Sequence, residues 1–366
     1  MAGTSMLQAD GVDTLTQSTP REARRFIAHT IQRGRVPMVV SSPGIGKSAL
    51  VKAIAQDFHL QLIDERLSTR SPVDLSGMPD FVGEGRKRQA QFTPFNVFPT
   101  EDTELPKGKD GWLLFLDEFN SATKATQAAA YKLILDRMVG LHRLHPNVAI
   151  VAAGNLMTDR AIVNPMSTAM QSRLIHIRMT HSHDEWLEDV ALAQKYDSRI
   201  IAYLNYKPSA LMDFRPNHNE ATFCCPRTWE FVNDLITGLS NDEVRSLTKL
   251  LAGSITSGVA TDFISFIQVY QRMITFAMIM QDPHNAEVPV DNMTRWAVIC
   301  HMMEKVTDDT FGSACTYVRR FPIENQVLFF RSVLVRRPEM RRHPEFINAM
   351  SQLSRYFHSS PYAQAA

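Results

Sequence analysis

Apolar residues in the first half of the chain gather into short unbroken runs, at Val36–Val40, around Leu60–Leu67, and at Trp112–Leu116, Val148–Ala153 and Leu174–Arg178. Runs this short, bounded by polar or turn-forming residues, predict buried strands. Between most of them the apolar spacing lengthens to that of helices. Pro20–Arg33 reads as an amphipathic helix with Ala23, Phe26, Ile27 and Ile31 turned inward, and the folded part of the chain begins near Pro20. Alternating strands and helices imply an α/β domain, a parallel sheet with helices on both faces and ligand-binding groups at the carboxyl ends of the strands.

Two stretches interrupt this pattern. From Arg70 to Asp110 the periodicity fails, and Pro, Gly and charged residues dominate apart from Phe81, Phe92, Phe95 and Phe98. An excursion of that length in a compact domain usually serves function. Val139–Asn147, punctuated by Gly140 and Pro146, predicts a hairpin just ahead of the Val148 strand. Beyond His181 the pattern is helical, at Asp184–Lys195, Ser198–Asn205 and Arg227–Leu239, with Ser240-Asn241-Asp242-Glu243 as the cap of a further helix. More helices are expected at Phe263–Met280, Met293–Val306, Glu324–Val335 and Pro344–Phe357.

Candidate chemistry lies at three strand ends. Val36–Val40 leads through Ser41-Ser-Pro-Gly-Ile-Gly-Lys-Ser48 into the helix-like stretch Ala49–Phe58. A glycine-rich turn between strand and helix offers backbone amides and a helix amino end to phosphate oxygens. Pro43, Gly44, Ile45, Gly46, Lys47, Ser48 and Ala49 thus form a candidate nucleotide cradle, with the Lys47 ammonium on the phosphates and the Ser48 hydroxyl on magnesium. Ser41 stands where the usual pattern has its first glycine. The run Gly111–Leu116 ends in Asp117 and Glu118; Asp117 would hold magnesium opposite Ser48, and Glu118 would polarise the water that attacks the γ-phosphate of ATP. Val148–Asn155 ends in an amide that can orient that water or touch the γ-phosphate. Read singly, these are a surface turn, a capped helix and a turn asparagine. In this order they support one another.

That succession, continued by Ser172-Arg173-Leu174 and Pro226-Arg227, resembles the AAA+ ATPases in order and spacing over about residues 20 to 240. The resemblance implies a P-loop core over 20–180 with a five-stranded sheet in the order 5-1-4-3-2. A flexible arm over 1–19 would precede it. An α-helical lid over 181–260 would follow, then a helical carboxyl-terminal region, 261–366, that completes the lid or binds a partner. The resemblance makes Asn155 the first sensor, Arg173 an arginine finger reaching into a neighbouring subunit, and Arg227 the second sensor. A planar, permanently charged fork suits both arginine roles, since it binds phosphoryl oxygens bidentately. Within the superfamily, Asp117-Glu118-Phe119-Asn120-Ser121-Ala122 with Gln127 and Asp136-Arg137 is similar to the MoxR group, and Pro72–Gly77 to the loop inserted in that group's second helix. Membership would imply a homo-oligomeric ring, a hexamer, that hydrolyses ATP to remodel or mature a protein partner carrying a von Willebrand type A domain. Phe81 or Phe92 would grip in its channel. Ser121 departs from the group, which usually has Arg there, and so does the long carboxyl-terminal region.

Composition narrows the alternatives. With 366 residues, 44% of them hydrophobic and 21% charged, the chain can bury two or three domain cores. Lys and Arg total 39 against 38 acidic residues, so no global field favours nucleic acid or an anionic membrane. The alternative function, a DNA-directed motor or loader, would rest on the cluster Arg331, Arg336, Arg337, Arg341 and Arg342 and on the channel loops. Cys224, Cys225, Cys300 and Cys315 lack the paired spacing of a zinc site and read as reduced thiols. Met1–Thr19 lacks the pattern of a leader, and no run is long enough to span a bilayer, so a soluble cytoplasmic protein is expected.

Overall fold

The computed structural model describes residues 15–82, 89–159, 163–270 and 274–356. It divides into two compact units, residues 1–180 and 181–366. Residues 1–14 of the expected arm lie outside the described ones.

The first unit contains strands β1 (Gln17–Ser18), β2 (Val36–Ser41), β3 (Leu60–Arg66), β4 (Met78–Val82), β5 (Gln89–Thr93), β6 (Gly111–Asp117), β7 (Met138–Val139), β8 (His142–Arg143), β9 (Val148–Asn155) and β10 (Leu174–Met179). Its helices are α1 (Pro20–Gln32), α2 (Lys47–Asp57), α3 (Pro72–Ser76), α4 (Lys124–Leu135) and α5 (Thr168–Gln171). Six strands pair in parallel in the order β1-β10-β2-β9-β6-β3. The five strong apolar runs thus take the order 5-1-4-3-2. A sixth strand, β1, extends the edge within the stretch expected to be a loose arm. It pairs Gln17 and Ser18 with Arg178 and Met179, and two backbone-paired residues leave no apolar pattern to read.

Alternation along the central strands builds two cores. Leu113, Phe115, Val151 and Ala153 face Ala23 and Ile27 of α1 and Val51, Ile54 and Ala55 of α2, while Leu114, Leu116, Ile150 and Ala152 face Ala130, Leu133 and Ile134 of α4. Every residue of β6 is buried, as a strand covered on both faces requires. Phe26 corrects the expectation for α1, being 41% exposed. Three residues beyond Ala23 it lies about 60° round the helix, on the rim of the stripe formed by Ala23, Ile27 and Thr30.

The interrupted stretches hold two antiparallel hairpins. β4 pairs with β5, a hairpin that the failed periodicity of Arg70–Asp110 hid, and β7 pairs with β8 as expected. His142 contacts the Phe92 carbonyl through Nε2 at 3.2 Å, joining the two. Phe98 is buried, whereas Phe81, Phe92 and Leu141 are exposed.

The second unit is helical: α6 (His183–Trp186), continued by a wider π turn at Leu187–Leu192, then α7 (Ser198–Tyr206), α8 (Pro226–Ile236), α9 (Asn241–Ser246), α10 (Thr248–Ile255), α11 (Ser257–Tyr270), α12 (Phe276–Gln281), α13 (Asn292–Lys305), α14 (Asp308–Val318), α15 (Ile323–Arg336) and α16 (Pro344–Leu353). One apolar core runs from Trp186 to Leu353, across residue 260 without a break. Tyr203, Trp229 and Phe263 meet ring to ring at 5.3–5.7 Å, binding α7, α8 and α11 together. Ser240 and Glu243 form the expected capping box of α9. The helix expected over Phe263–Met280 is two helices, α12 restarting under the Thr275 cap, and α14 was not anticipated. All four cysteines are free and buried; burial pushes the Cys224 and Cys315 thiols up to about 12. No described helix is long and apolar enough to cross a membrane.

Candidate nucleotide site

Three parallel strands deliver their last residues to one place. β2 ends at Ser41, in register with Asn155 at the end of β9, and β6 beside it ends at Asp117. Between β2 and α2 the chain turns through Gly44 at φ 78° and Gly46 at φ 105°, left-handed values that side chains resist. Gly46 occupies the cap position of α2 and brings no side chain to its first-turn amides, which is the form a phosphate-binding helix end takes. Ile45 packs on the α1/α2 face of the sheet and anchors the turn between Pro43 and Ala49.

The Lys47 ammonium donates to the Ser41 carbonyl at 3.2 Å, the Ser41 hydroxyl at 3.1 Å and Asn155 Oδ1 at 3.3 Å. Ser41 therefore replaces the usual glycine for a structural reason. It is fully buried and in extended backbone that needs no glycine, and its hydroxyl helps to aim Lys47. Ser48 Oγ donates to Asp117 Oδ2 at 3.2 Å. A hydroxyl and a carboxylate side by side are hard oxygen donors of the kind magnesium selects, so these residues fit that ion. Asp64, one strand over on β3, has its carboxyl pushed up by burial and by the charges of Asp117 and Glu118, a concentration of negative charge that a cation would relieve.

Glu118 follows Asp117 in left-handed backbone, φ 54°, with its amide donating to Asp117 Oδ1 at 2.8 Å. That uncommon conformation turns the chain sharply off the strand. Its carboxylate accepts from the Ser68 hydroxyl, just beyond β3. Ser68 was not singled out in the sequence, nor was any role for Asn120, whose buried amide hydrogen-bonds both backbone groups of Asn155. Polar residues just past a strand read as caps or turns, and nothing in their spacing separates these two from that class.

The structure thus brings together Lys47, Ser48, Asp117, Glu118 and Asn155. The two arginines stand apart from these contacts. Arg173 is exposed, donates to the Ala169 carbonyl at 2.7 Å and lies over the Tyr131 ring at 5.1 Å. Arg227 belongs to the second unit and is exposed at the second residue of α8. Of the basic cluster, Arg331 is paired with buried Glu188 at 3.0 Å, and Arg336 donates to the Tyr196 carbonyl at 3.1 Å. His142 and His145 bind backbone groups, and no cluster of three or more metal-ligating side chains occurs among the described residues.

A parallel sheet with a glycine cradle after one strand and an acidic pair after another defines a P-loop nucleotide-binding domain. Residues 37–200 match the family model described as ATPase family associated with various cellular activities (AAA). Among solved structures it is similar to a point mutant of Thermotoga maritima RuvB, with 14% identity, 70% of this chain and 74% of that one covered, and a TM-score of 0.38. A second RuvB mutant from that organism gives 12% identity, 90% and 86% coverage and 0.38. A protein of Cytophaga hutchinsonii solved as a candidate ATPase gives 12%, 84% and 79%, and 0.35. No curated protein matches by sequence.

Proposed function

We propose that this chain binds ATP with magnesium at the Lys47–Asp117 site, hydrolyses it, and uses the turnover as a ring of identical subunits to remodel a protein partner, as a MoxR-like AAA+ ATPase. The observation that carries the reading is the convergence of Lys47, Ser48, Asp117, Glu118 and Asn155 at the ends of adjacent strands. In it, Lys47 and the α2 amides bind phosphate oxygens, and Ser48 and Asp117 hold magnesium, which when bound offsets charge on the phosphates. Glu118, oriented by Ser68, takes a proton from water, and Asn155 orients that water. Arg173, exposed on the surface, is assigned the finger given to a neighbour, and Arg227 the second sensor.

The two linked hairpins support a polypeptide as the object of the work, because β4 and β5 present Phe81 and Phe92 to solvent from one face, and Met78, on the other face, and Leu141, between β7 and β8, are exposed as well. A von Willebrand type A domain protein remains the partner class this reading favours. The DNA-directed alternative loses support where Arg331 and Arg336 spend their charge on their own unit.

Mixed-subunit kinetics tests the assembly. Arg173→Ala and Lys47→Ala proteins should each hydrolyse poorly, and mixing them should restore part of the turnover, since an intact finger then meets an intact cradle. No recovery at any ratio would refute action between subunits. Salt-dependent stimulation of turnover by DNA would overturn the protein-partner reading.

A further inference from the structure

We propose that Asn120 is the positioning residue of this site: it sets the height of Asn155 above the cradle and ties it to the segment that leads to Arg173. The inference rests on the ATPase reading above and deepens it.

β6 runs out before β9 does. Their pairing ends at Leu116 with Ala152, and β9 continues for three residues to Asn155. On the β2 side Asn155 still has a strand partner, Ser41. On the β6 side the Asn120 amide takes the place of the missing strand. Nδ2 donates to the Asn155 carbonyl at 2.7 Å, and the Asn155 amide donates to Oδ1 at 3.0 Å. Both backbone groups of one residue are thus held by one planar side chain that is itself 5% exposed. Gly154 makes room for it, for a Cβ there would lie 2.3 Å from Oδ1 and 2.7 Å from Cγ of Asn120. With its backbone clamped, Asn155 keeps its own amide free to meet Lys47, 3.3 Å away.

The other side of Asn120 leads outward. Its carbonyl accepts from the Asn164 amide at 2.6 Å, and Asn164 Nδ2 donates to the Ala122 carbonyl at 2.9 Å. Gln127 braces both, donating to the Ala122 carbonyl at 3.1 Å and to the Asn164 carbonyl at 3.3 Å. From Asn164 the chain enters α5 under the Ser167 cap, and the Ala169 carbonyl of that helix holds Arg173 at 2.7 Å. A continuous path of hydrogen bonds and short backbone therefore joins the amide facing the phosphates to the arginine facing the neighbour. The acidic turn at Glu118 lies two residues from its middle.

Asn120 touches no reacting atom in this scheme and acts only through Asn155. The test compares Asn120→Ala, Asn155→Ala and the double variant for nucleotide Kd, KM and kcat with magnesium-ATP. Displacing a positioned group by an ångström costs up to about a hundredfold in rate. Asn120→Ala is expected to keep Kd and KM within about twofold while kcat falls about tenfold or more, and the double variant to be no slower than Asn155→Ala. Unchanged kcat, or losses that multiply in the double variant, would overturn the proposal. Wild-type turnover by Asn155→Ala would instead refute the reading of the site itself. Should Asn120→Ala fail to fold, Gly154→Ala attacks the same clamp from the β9 side, with the same pattern expected and full turnover by the folded variant as the overturning result.

Discussion

Ser41 shows how a departure from a motif can be physically neutral. It pairs in extended backbone with Asn155, and its buried hydroxyl meets Lys47 at 3.1 Å. Restoring the glycine should therefore not improve the site. Ser41→Gly is expected to leave ATP affinity within a few-fold of wild type while lowering stability by about 1 kcal/mol, read from denaturant midpoints. A clear gain in affinity would contradict the role given to the hydroxyl. Asn325 offers a second test at this scale, far from the chemistry. It is fully buried on α15, and neither amide atom finds a hydrogen-bond partner among the described residues. Such unmet groups cost about 1–3 kcal/mol, so Asn325→Leu should raise Tm by about 3 °C or more. A lower Tm would show that the amide is satisfied in the native protein. The site residues legible in the sequence, Lys47, Ser48, Asp117, Glu118 and Asn155, are those at fixed offsets from apolar runs. Ser68 and Asn120 were illegible because their partners, Glu118 and Asn155, lie 50 and 35 residues away and meet them only in the folded sheet.

At the scale of elements, burial on both faces made the five central strands readable, since a run such as Trp112–Leu116 has no other economical fate. Elements that bury little were lost: β1 has two residues, and the β4/β5 hairpin exposes Phe81 and Phe92. The join of α7 to α11 makes a pH prediction. Asp262 on α11 accepts from the Tyr203 hydroxyl at 2.9 Å and the Lys207 ammonium at 2.6 Å. Burial pushes its carboxyl up, but those two bonds and the Lys207 charge outweigh it and leave the group below the ordinary value of 3.8. A depressed carboxyl stabilises fully above its unfolded pKa, and the contribution is lost as pH falls through the folded one. The pair is partly exposed, so the contribution is about 1 kcal/mol or less. Asp262→Asn should thus melt slightly below wild type at pH 6, and the gap should close as the pH falls below the ordinary carboxyl value of 3.8 and through the depressed folded one. A gap that widens in acid would contradict the sign.

The whole molecule is two units with separate cores, the first holding the cradle and the second carrying Arg227. This division was partly legible, because strand-length runs stop at Arg178 and helical spacing takes over after His181. The continuity of the second core across residue 260 was not, since contacts such as Tyr203 to Phe263 join residues sixty apart in sequence. In the proposed ring, nucleotide would have to occupy a cradle before a neighbour's finger could act on it, so occupancy of the Lys47 site comes first. The most direct measurement is calorimetric titration of full-length Glu118→Gln with magnesium-ATP, with phosphate release followed on the same sample. The expected result is saturable binding, lost in Lys47→Ala, with phosphate release at least about a hundredfold below wild type. A folded protein that gives no binding heat, or a Glu118→Gln variant that turns over like wild type, would contradict the assignment of this site.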